Sequence, residues 1–309
     1  MRIWLDTDIG SDVDDALALA YVLGRPELEL VGISTVFGDL SMRGRITAAL
    51  LGGAGVERVP VLPGLGVPLS DHRIGIMFGH EGRGVIEDPR PVLRLRSESG
   101  AGERIEALAA AIDDARPDLV VAIGPMTNLG ALADAEVPLP PLAVMGGRFG
   151  DGPVAAATGD DTEWNWHCDP LSVRHVLATD LAEPALVLPA EVTFQTRLGD
   201  ADIDRLHGTS PLNDMIATLC REWLRAQAEM WNVEDPRVAL HDPLTTAVLV
   251  EPGLCTYREM RVEVDDRGVP SEVGGPANVR VATGVDAEAA RDHILDTLVG
   301  APGARRAAR

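Results

Sequence analysis

Hydrophobic and polar positions along the chain predict an alternation of short buried strands and amphipathic helices. The strands predicted up to residue 190 are 3–5, 28–37, 59–64, 119–123, 141–147 and 184–190. The helices predicted between them are 15–23, 43–51, 105–115, a turn and helix within 124–133, and 169–179. Strands separated by helices form a mostly parallel sheet with helices on both faces. The pattern therefore predicts an α/β fold with an open, Rossmann-like sheet.

The remainder of the chain has a different pattern. The elements predicted there are a long helix at 211–231, a shorter helix at 244–250, a pair of strands at 260–264 and 277–283, and a closing helix at 287–298. The sequence contains no internal repeat and no linker-like segment. We therefore predict a single domain over residues 1–309, with a solvated tail at 301–309.

The composition excludes several classes of function. The chain carries 48 acidic and 27 basic residues, for a net charge of −21 at pH 7. A surface this acidic repels phosphates, so we expect no nucleic acid and no membrane among the partners. Every basic residue is an arginine. The lack of lysine excludes a lysine nucleophile and a P-loop lysine.

The cysteines and the hydrophobic runs indicate a cytoplasmic protein. The three cysteines, Cys168, Cys220 and Cys255, form no CxxC pair, and their number is odd. That usage is typical of reduced thiols buried as small hydrophobic side chains. The chain shows no signal-like start and no apolar run near the ~18 residues that span a bilayer. We therefore expect the protein to reside in the cytoplasm.

Five aspartates fall within ten positions at the end of the first predicted strand: Asp6, Asp8, Asp12, Asp14 and Asp15. Several carboxylates at one strand end repel each other unless a cation neutralises them. Ligand sets made only of oxygen favour Ca²⁺ or Mg²⁺ over Zn²⁺. One helix end needs one or two acidic residues rather than five. The cluster therefore predicts a site for a hard cation.

Local alternatives apply to parts of this cluster. An EF-hand is excluded, because Leu17 stands at the twelfth position from Asp6, where that loop needs a glutamate. A haloacid-dehalogenase-type phosphatase also begins with a strand and a DxD pair, so the segment LDTD is ambiguous by itself. That chemistry normally uses a cationic residue, usually lysine, near the phosphate. Asp12 alone fits a helix N-cap as well as it fits a site residue.

Two further segments combine residue types that carry chemistry. The segment DTEWNWHCDP occupies residues 161–170, and LHDPLTTA at 240–247 sets His241 beside Asp242. Taken alone, a His-Asp pair is more often a helix cap with a surface histidine, and the two tryptophans of the first segment are more often packing residues. Because ligands bind at the carboxyl ends of strands in open parallel sheets, we expect the polar residues that follow different strands to converge.

Taken together, the polar segments resemble the inosine–uridine preferring nucleoside hydrolase family. In family order, the matching segments are DTDIG…DDALAL at 6–19, STVFGD at 34–39, GPMTNL at 124–129, VMGG at 144–147, TEWNWHCDP at 162–170 and HDPL at 241–244. The set is specific and spans most of the chain. The resemblance implies the nucleoside hydrolase fold. It also implies calcium-dependent hydrolysis of the N-glycosidic bond of ribonucleosides, which releases ribose and a free purine or pyrimidine base.

The resemblance assigns roles around the cation. It implies that Ca²⁺ is held by the side chains of Asp8, Asp15 and Asp242 and by the backbone carbonyl of Ile123. A carbonyl ligand does not constrain its side chain, so an apolar residue is acceptable there. Asp14 is similar to the general base that takes a proton from the attacking water.

The same resemblance implies residues around the nucleoside. Asp39, Glu163 and Asn165 are similar to residues that face or hold the sugar, and Trp164 to an apolar wall. His241 is similar to a histidine that helps to protonate the departing base. The family is usually dimeric or tetrameric, so the resemblance implies a homodimer or a homotetramer with a small nucleoside as substrate.

Three departures from the family pattern leave alternatives open. The loop that begins at Asp8 is two residues longer than the family's Asp-Pro-Gly-x-Asp-Asp form, so Asp12 is either a substrate contact or the base in place of Asp14. The segment FGHEGRG at 78–84 displaces His80 by two positions from the histidine of the family, and its role stays open. Gly-Pro at 152–153 replaces an expected Gly-Asn pair, so one sugar contact is either missing or supplied by another residue. The preferred base is not determined by these residues.

Two alternatives to the hydrolase remain at this point. A DxD phosphatase would release phosphate with Mg²⁺ through an acylphosphate on Asp6. A protein that keeps the fold but only binds a nucleoside or sugar would show binding without turnover. The altered segments near Phe78 and Pro153 are compatible with the second alternative.

Overall fold

The computed structural model describes residues 1–151 and 162–300. The strands in these ranges are β1 (Arg2–Thr7), β2 (Glu29–Thr35), β3 (Val61–Pro63), β4 (Gly75–Ile76), β5 (Arg94–Leu95), β6 (Leu119–Ala122), β7 (Leu142–Met145), β8 (Ala185–Leu188), β9 (Arg197–Leu198), β10 (Val238–Ala239), β11 (Cys255–Val264), β12 (Pro270–Val273) and β13 (Val279–Val285). Nine of them form one sheet in the order β12-β11-β13-β8-β7-β6-β1-β2-β3. The strands from β13 to β3 run parallel, whereas β11 pairs antiparallel with β13 and β12. The predicted, mostly parallel sheet is confirmed.

The helices cover both faces of this sheet, as predicted. In chain order they are α1 (Asp14–Gly24), α2 (Leu40–Gly53), α3 (Ala101–Ala115), α4 (Thr127–Asp134), α5 (Trp164–Cys168), α6 (Pro170–Ala178), α7 (Ala190–Thr193), α8 (Asp200–Leu206), α9 (Pro211–Trp231), α10 (His241–Ala247) and α11 (Ala287–Val299). One buried apolar cluster joins a face of the sheet to α1, α2, α8, α9, α10 and α11. A second cluster joins the other face to α3, α4 and α6.

The central strand β1 shows how the sequence divides its side chains between the two clusters. Ile3 and Leu5 belong to the first cluster and Trp4 to the second, because successive side chains of a strand point to opposite faces. The Trp4 ring lies over Gly32 of the neighbouring strand, where an added Cβ would come within 2.2 Å of the ring. The indole Nε1 donates to Ser34 Oγ at 2.9 Å. The buried indole is therefore both packed and hydrogen-bonded.

The predicted helices differ from the observed ones mainly at their ends. Helix α9 has the predicted bounds, because Pro211 occupies its first turn and Ser210 Oγ accepts a hydrogen bond from Asn213 N at 3.1 Å. Helix α10 begins at His241, three residues before the prediction. Pro243 does not end this helix, because proline is tolerated in a first turn, where its missing N–H has no helical partner.

Several short elements were not predicted, including α5, α7, α8 and β12. Each has seven residues or fewer, which is too short for a recognisable period. All three cysteines are buried, as predicted. Within the described ranges, no helix is long and apolar enough to cross a membrane. The predicted tail at 301–309 and the Gly-Pro pair at 152–153 lie outside the described residues.

Candidate active site

A cavity lies at the carboxyl edge of the parallel strands, next to the ends of β1, β6 and β7. Its lining consists of Asp8, Ser11, Asp12, Asp14, Asp15, Phe78, Ile123, Met145, Thr162, Glu163, Trp164, Asn165, Ala190, Trp223, Trp231, His241 and Asp242. All the predicted site residues except Asp39 belong to this lining. Residues that follow β1, β6 and β7 meet here because these parallel strands end at one edge, and helices α9 and α10 bring further residues to the same cavity.

The first turns of α1 and α10 bring three carboxylates face to face. One oxygen from each of Asp14, Asp15 and Asp242 lies within 4.8 Å of the others, and all three residues are buried. The two helices pack against each other, which explains how residues far apart in sequence meet here. Acidic side chains are favoured in a first turn by the helix dipole. An oxygen-only donor set of this kind fits Ca²⁺ or Mg²⁺.

Burial controls the protonation of these carboxyl groups. It raises the pKa of Asp14, Asp15 and Asp242 well above the ordinary aspartate range, and repulsion from neighbouring carboxylates raises each pKa further. Burial also raises the pKa of Asp12 to about 8. Carboxylates in such surroundings either hold protons or need a counter-charge. A divalent cation supplies that counter-charge, so the electrostatics of the cavity agree with its donor set.

Asp8 directly follows β1 and is held close to the neighbouring strand end. Its Oδ2 lies 3.5 Å from Nη2 of the buried Arg43. Gly124 permits the approach, because an added Cβ there would lie 2.8 Å from Asp8 Oδ1. Beside it, the Thr7 hydroxyl donates a short hydrogen bond to Asp15 Oδ1. The end of β1 therefore fixes two of the predicted cation ligands.

The short helix α5 presents two predicted sugar contacts to the cavity. Glu163 is its N-cap, and its carboxylate accepts hydrogen bonds from the backbone N–H groups of Asn165 at 2.6 Å, Trp166 at 3.0 Å and Gly147 at 2.9 Å. Burial raises the pKa of Glu163 to about 7. Asn165 Nδ2 donates to the carbonyl oxygen of Ile123 at 3.0 Å. Asn165, a predicted sugar contact, is therefore hydrogen-bonded to the carbonyl of Ile123, a predicted cation ligand.

The other predicted lining residues occupy distinct positions. Asp12 is half-buried, and its Oδ1 accepts a hydrogen bond from Val13 N at 2.5 Å. Val13 is the N-cap of α1, so Asp12 lies one residue before the cap, at the start of the helix. His241 stacks on Phe194, with 5.9 Å between ring centroids. Burial lowers the pKa of His241 to about 4, so its imidazole is neutral at pH 7.

Asp39 is the predicted sugar residue that the structure places outside the cavity lining. Its Oδ1 accepts from Met42 N at 3.1 Å as the N-cap of α2, and its Oδ2 accepts from Val92 N at 2.8 Å. Both oxygens are therefore engaged by backbone donors. An aspartate between a strand and a helix fits a cap and a ligand contact equally well, and sequence alone does not separate the two.

Four aromatic side chains form one side of the cavity and are called the aromatic wall: Phe78, Trp164, Trp223 and Trp231. The Phe78 ring centroid lies 5.8 Å from that of Trp164 and 5.7 Å from that of Trp231. Trp223 and Trp231 are 5.6 Å apart. Sequence reasoning identified only Trp164. Trp223 and Trp231 could have been found from their spacing of eight residues in α9, which puts both on one helix face.

His80 supports this wall from behind. Its ring stacks between Phe78 and Trp223, with centroid distances of 6.2 and 5.7 Å. Its Nε2 lies 2.6 Å from the carbonyl oxygen of Ser11, so the Nε2–H donates there. His80 is buried and is not part of the cavity lining. The structure thus assigns to it a contact between the wall and the loop before α1.

Some polar motif residues stabilise the sheet rather than face the cavity. Asp6 Oδ1 accepts from Asn128 Nδ2 at 2.7 Å and from the Ser34 hydroxyl. Asp6 is 1% exposed and does not line the cavity, which weighs against a phosphatase that would need this residue as nucleophile. Asp169 accepts from Thr127 Oγ1 at 2.7 Å and so ties α4 to α6. The first aspartate of LDTD and the Thr-Asn pair are therefore structural.

Known proteins are similar to this chain in sequence and in fold. The family model described as inosine-uridine preferring nucleoside hydrolase matches residues 3–292. Uridine nucleosidase 1 of Arabidopsis thaliana is 29% identical, over 87% of this chain and 79% of that protein. The non-specific ribonucleoside hydrolase RihC of Salmonella agona is 27% identical, over 98% of this chain and 99% of that protein.

A solved structure, the purine-preferring ribonucleoside hydrolase from Gardnerella vaginalis, is also similar. It superposes with a TM-score of 0.78 and 23% identity, over 98% of this chain and 99% of that chain. This likeness shows the shared fold. Since the family model extends over nearly the whole sequence, the chain belongs to the inosine-uridine preferring nucleoside hydrolase family.

Proposed function

We propose that the chain hydrolyses the N-glycosidic bond of ribonucleosides with the help of a bound Ca²⁺ ion, and releases ribose and a free base. Membership of the nucleoside hydrolase family makes it a glycosidase of this substrate class. The observation that carries the proposal is one cavity with an acidic side and an aromatic wall. Sugar hydroxyls suit the acidic side, and a flat base suits the wall.

The ligands proposed for Ca²⁺ are Asp8, Asp15 and Asp242 together with the carbonyl of Ile123. Carboxylates mixed with a backbone carbonyl suit Ca²⁺, which accepts six to eight oxygens in flexible geometry, better than Mg²⁺ with its strict octahedron. When bound, the ion would neutralise the buried carboxylates and lower the pKa of a water molecule at the site.

Asp14 is proposed as the general base. Its buried carboxylate lies beside Asp15 and Asp242, at the start of α1. It accepts a proton from the attacking water, whose oxygen adds to C1′ of the ribosyl ring while the bond from C1′ to the base nitrogen breaks. The transition state resembles an oxocarbenium ion. Its positive charge is stabilised by the surrounding carboxylates, Asp12 included.

The sugar and the leaving base are proposed to contact opposite parts of the cavity. The Asn165 amide nitrogen is occupied by the Ile123 carbonyl, so its Oδ1 is the atom proposed to accept from a sugar hydroxyl. Glu163, which keeps the α5 turn in place, lies beside it. The base is proposed to lie against the aromatic wall. His241 lines the same cavity and is proposed to supply an N–H to the departing base.

The proposal is tested by a panel of purine, pyrimidine and modified ribonucleosides incubated with the protein and calcium. Equal amounts of free ribose and free base are expected from at least one of them. Nucleotides in the same panel report phosphate release, which is the result expected of a phosphatase. Binding without release of ribose from any nucleoside would contradict the proposal and favour a non-catalytic protein. A homodimer or homotetramer stays a prediction from the family, and light scattering measures the assembly. The cytoplasmic location stays a prediction from the cysteine usage.

A further inference from the structure

Arg43 places a fully buried positive charge behind the acidic side of the cavity. Its side chain is 0% exposed and extends from α2. Nη2 lies 3.5 Å from Asp8 Oδ2, and Nη1 donates to the carbonyl oxygen of Ile9 at 3.0 Å. Nε donates a short hydrogen bond to the carbonyl oxygen of Phe37, and Nη2 also lies 3.5 Å from Ser11 Oγ. Arg43 does not line the cavity.

These contacts concentrate on the loop between β1 and α1. Asp8, Ile9 and Ser11 all lie in the loop that is two residues longer than the family form. Ser11 is held from the other side as well, because its hydroxyl donates to Glu81 Oε1 at 3.3 Å. A longer loop has more conformations, so a fixed position for Asp8 needs additional contacts. Arg43 supplies a planar set of donors that bonds several acceptors at once.

We propose that Arg43 is a positioning residue, which fixes the long loop so that Asp8 Oδ1 is presented to the cation. The role rests on the proposed metal site, since Asp8 is one of its ligands. Arg43 occupies Oδ2 of the carboxylate and leaves the other oxygen, next to Gly124, for the cavity. Groups that orient metal ligands typically contribute 10–100-fold to metal affinity.

A purely electrostatic role for Arg43 predicts the opposite effect. Removal of a positive charge beside a cation site strengthens cation binding, if nothing moves. Loss of a positioning contact weakens it. The sign of the change in Ca²⁺ affinity therefore separates the two roles.

The test is calorimetric titration of the full-length, metal-stripped protein with Ca²⁺, for the parent and for Arg43→Met and Arg43→Lys. We expect Arg43→Met to weaken Ca²⁺ binding by about 10–100-fold. Arg43→Lys keeps the charge but not the planar fork, so an intermediate loss is expected. The matched control is Arg45→Met on the same helix. The guanidinium of Arg45 is exposed and donates to the Glu87 carbonyl oxygen. The Ca²⁺ affinity of this control should equal that of the parent. For each variant, the Ca²⁺ concentration that gives half-maximal turnover should rise by the same factor as the Ca²⁺ dissociation constant.

Equal or tighter binding in Arg43→Met would overturn the role of Arg43. If that variant does not fold, Arg43→Lys decides: weaker binding supports the role, and parental binding overturns it. A parent that binds no Ca²⁺ would overturn the metal site itself, which is a different result from equal binding in parent and variant.

Discussion

The His241 ring is fixed by Thr193, whose Oγ1 lies 2.6 Å from Nδ1 of the imidazole. The same hydroxyl lies 3.2 Å from the carbonyl oxygen of Pro189 and 3.3 Å from that of Ala190. A hydroxyl has one proton to donate, and the contact to Nδ1 is the shortest of the three; donation there leaves the proton of the neutral ring on Nε2, where it is available to a departing base. The contact holds the ring at the cavity, on top of Phe194. It connects α7 to the first turn of α10.

Removal of the His241 side chain should therefore slow only substrates that need protonation of the leaving group. For His241→Ala we expect turnover of natural nucleosides to fall by about 10²–10⁴. A riboside with nitrophenolate as leaving group, which departs without a proton, should be cleaved near the parental rate. Thr193→Val, which loses the contact to the ring but keeps its shape, should show a smaller fall with the same substrate dependence. Equal losses on both substrates would contradict a role in protonation.

Asp14 and Asp12 are the two candidates for the general base, and single substitutions separate them. Asp14→Asn should lower kcat by about 10²–10⁴ on every riboside, the nitrophenyl riboside included, because a proton acceptor for water is lost. The fold should persist, since the amide has the same shape. Asp12→Asn serves as the matched comparison and should change KM more than kcat. If the large loss of kcat occurs in Asp12→Asn instead, the base is Asp12.

The aromatic wall should determine how tightly the base is held. Stacking of a base on an aromatic ring contributes roughly 1–3 kcal/mol, so Trp231→Ala should raise KM by about tenfold or more, with a smaller effect on kcat. Trp231→Phe keeps a ring and should stay near the parent. Initial rates over a range of nucleoside concentrations measure both constants. An unchanged KM in Trp231→Ala would remove the wall from the proposed base contact.

Stability without metal should decrease as the pH rises. Burial raises the pKa of Glu163 from 4.5 to about 7 and that of Asp12 from 3.8 to about 8. At a pH between the unfolded and the folded pKa of each group, the folded state binds more protons than the unfolded chain. The free energy of unfolding therefore falls with increasing pH. Urea unfolding of chelated protein should thus give a lower midpoint near pH 8 than near pH 5.5, and Ca²⁺ should reduce the difference. A midpoint that rises with pH in chelator would contradict this.

The sheet and its helices could be predicted from the sequence, because the hydrophobic period of a strand or a helix is visible within one short segment. Helix α9 shows this best, with a capping serine, a proline in the first turn and an apolar face in one segment. The acidic part of the site was also predictable, since five aspartates lie within ten positions of the chain. The aromatic wall was not, because Phe78 and Trp231 meet only through tertiary packing. Asp39 stays a predicted sugar contact, and its hydrogen bond to the backbone of Val92 was not predictable from local sequence, since the two residues are 53 positions apart.

The requirement for a bound cation is tested most directly by the rate of ribose release from a nucleoside that the protein cleaves. The rate is measured before chelation, after chelation and after addition of Ca²⁺. We predict that chelation stops ribose release and that Ca²⁺ restores it, because the buried carboxylates of Asp15 and Asp242 need a cation as counter-charge. Ribose release at the same rate in chelator, from protein shown to be metal-free, would contradict the account.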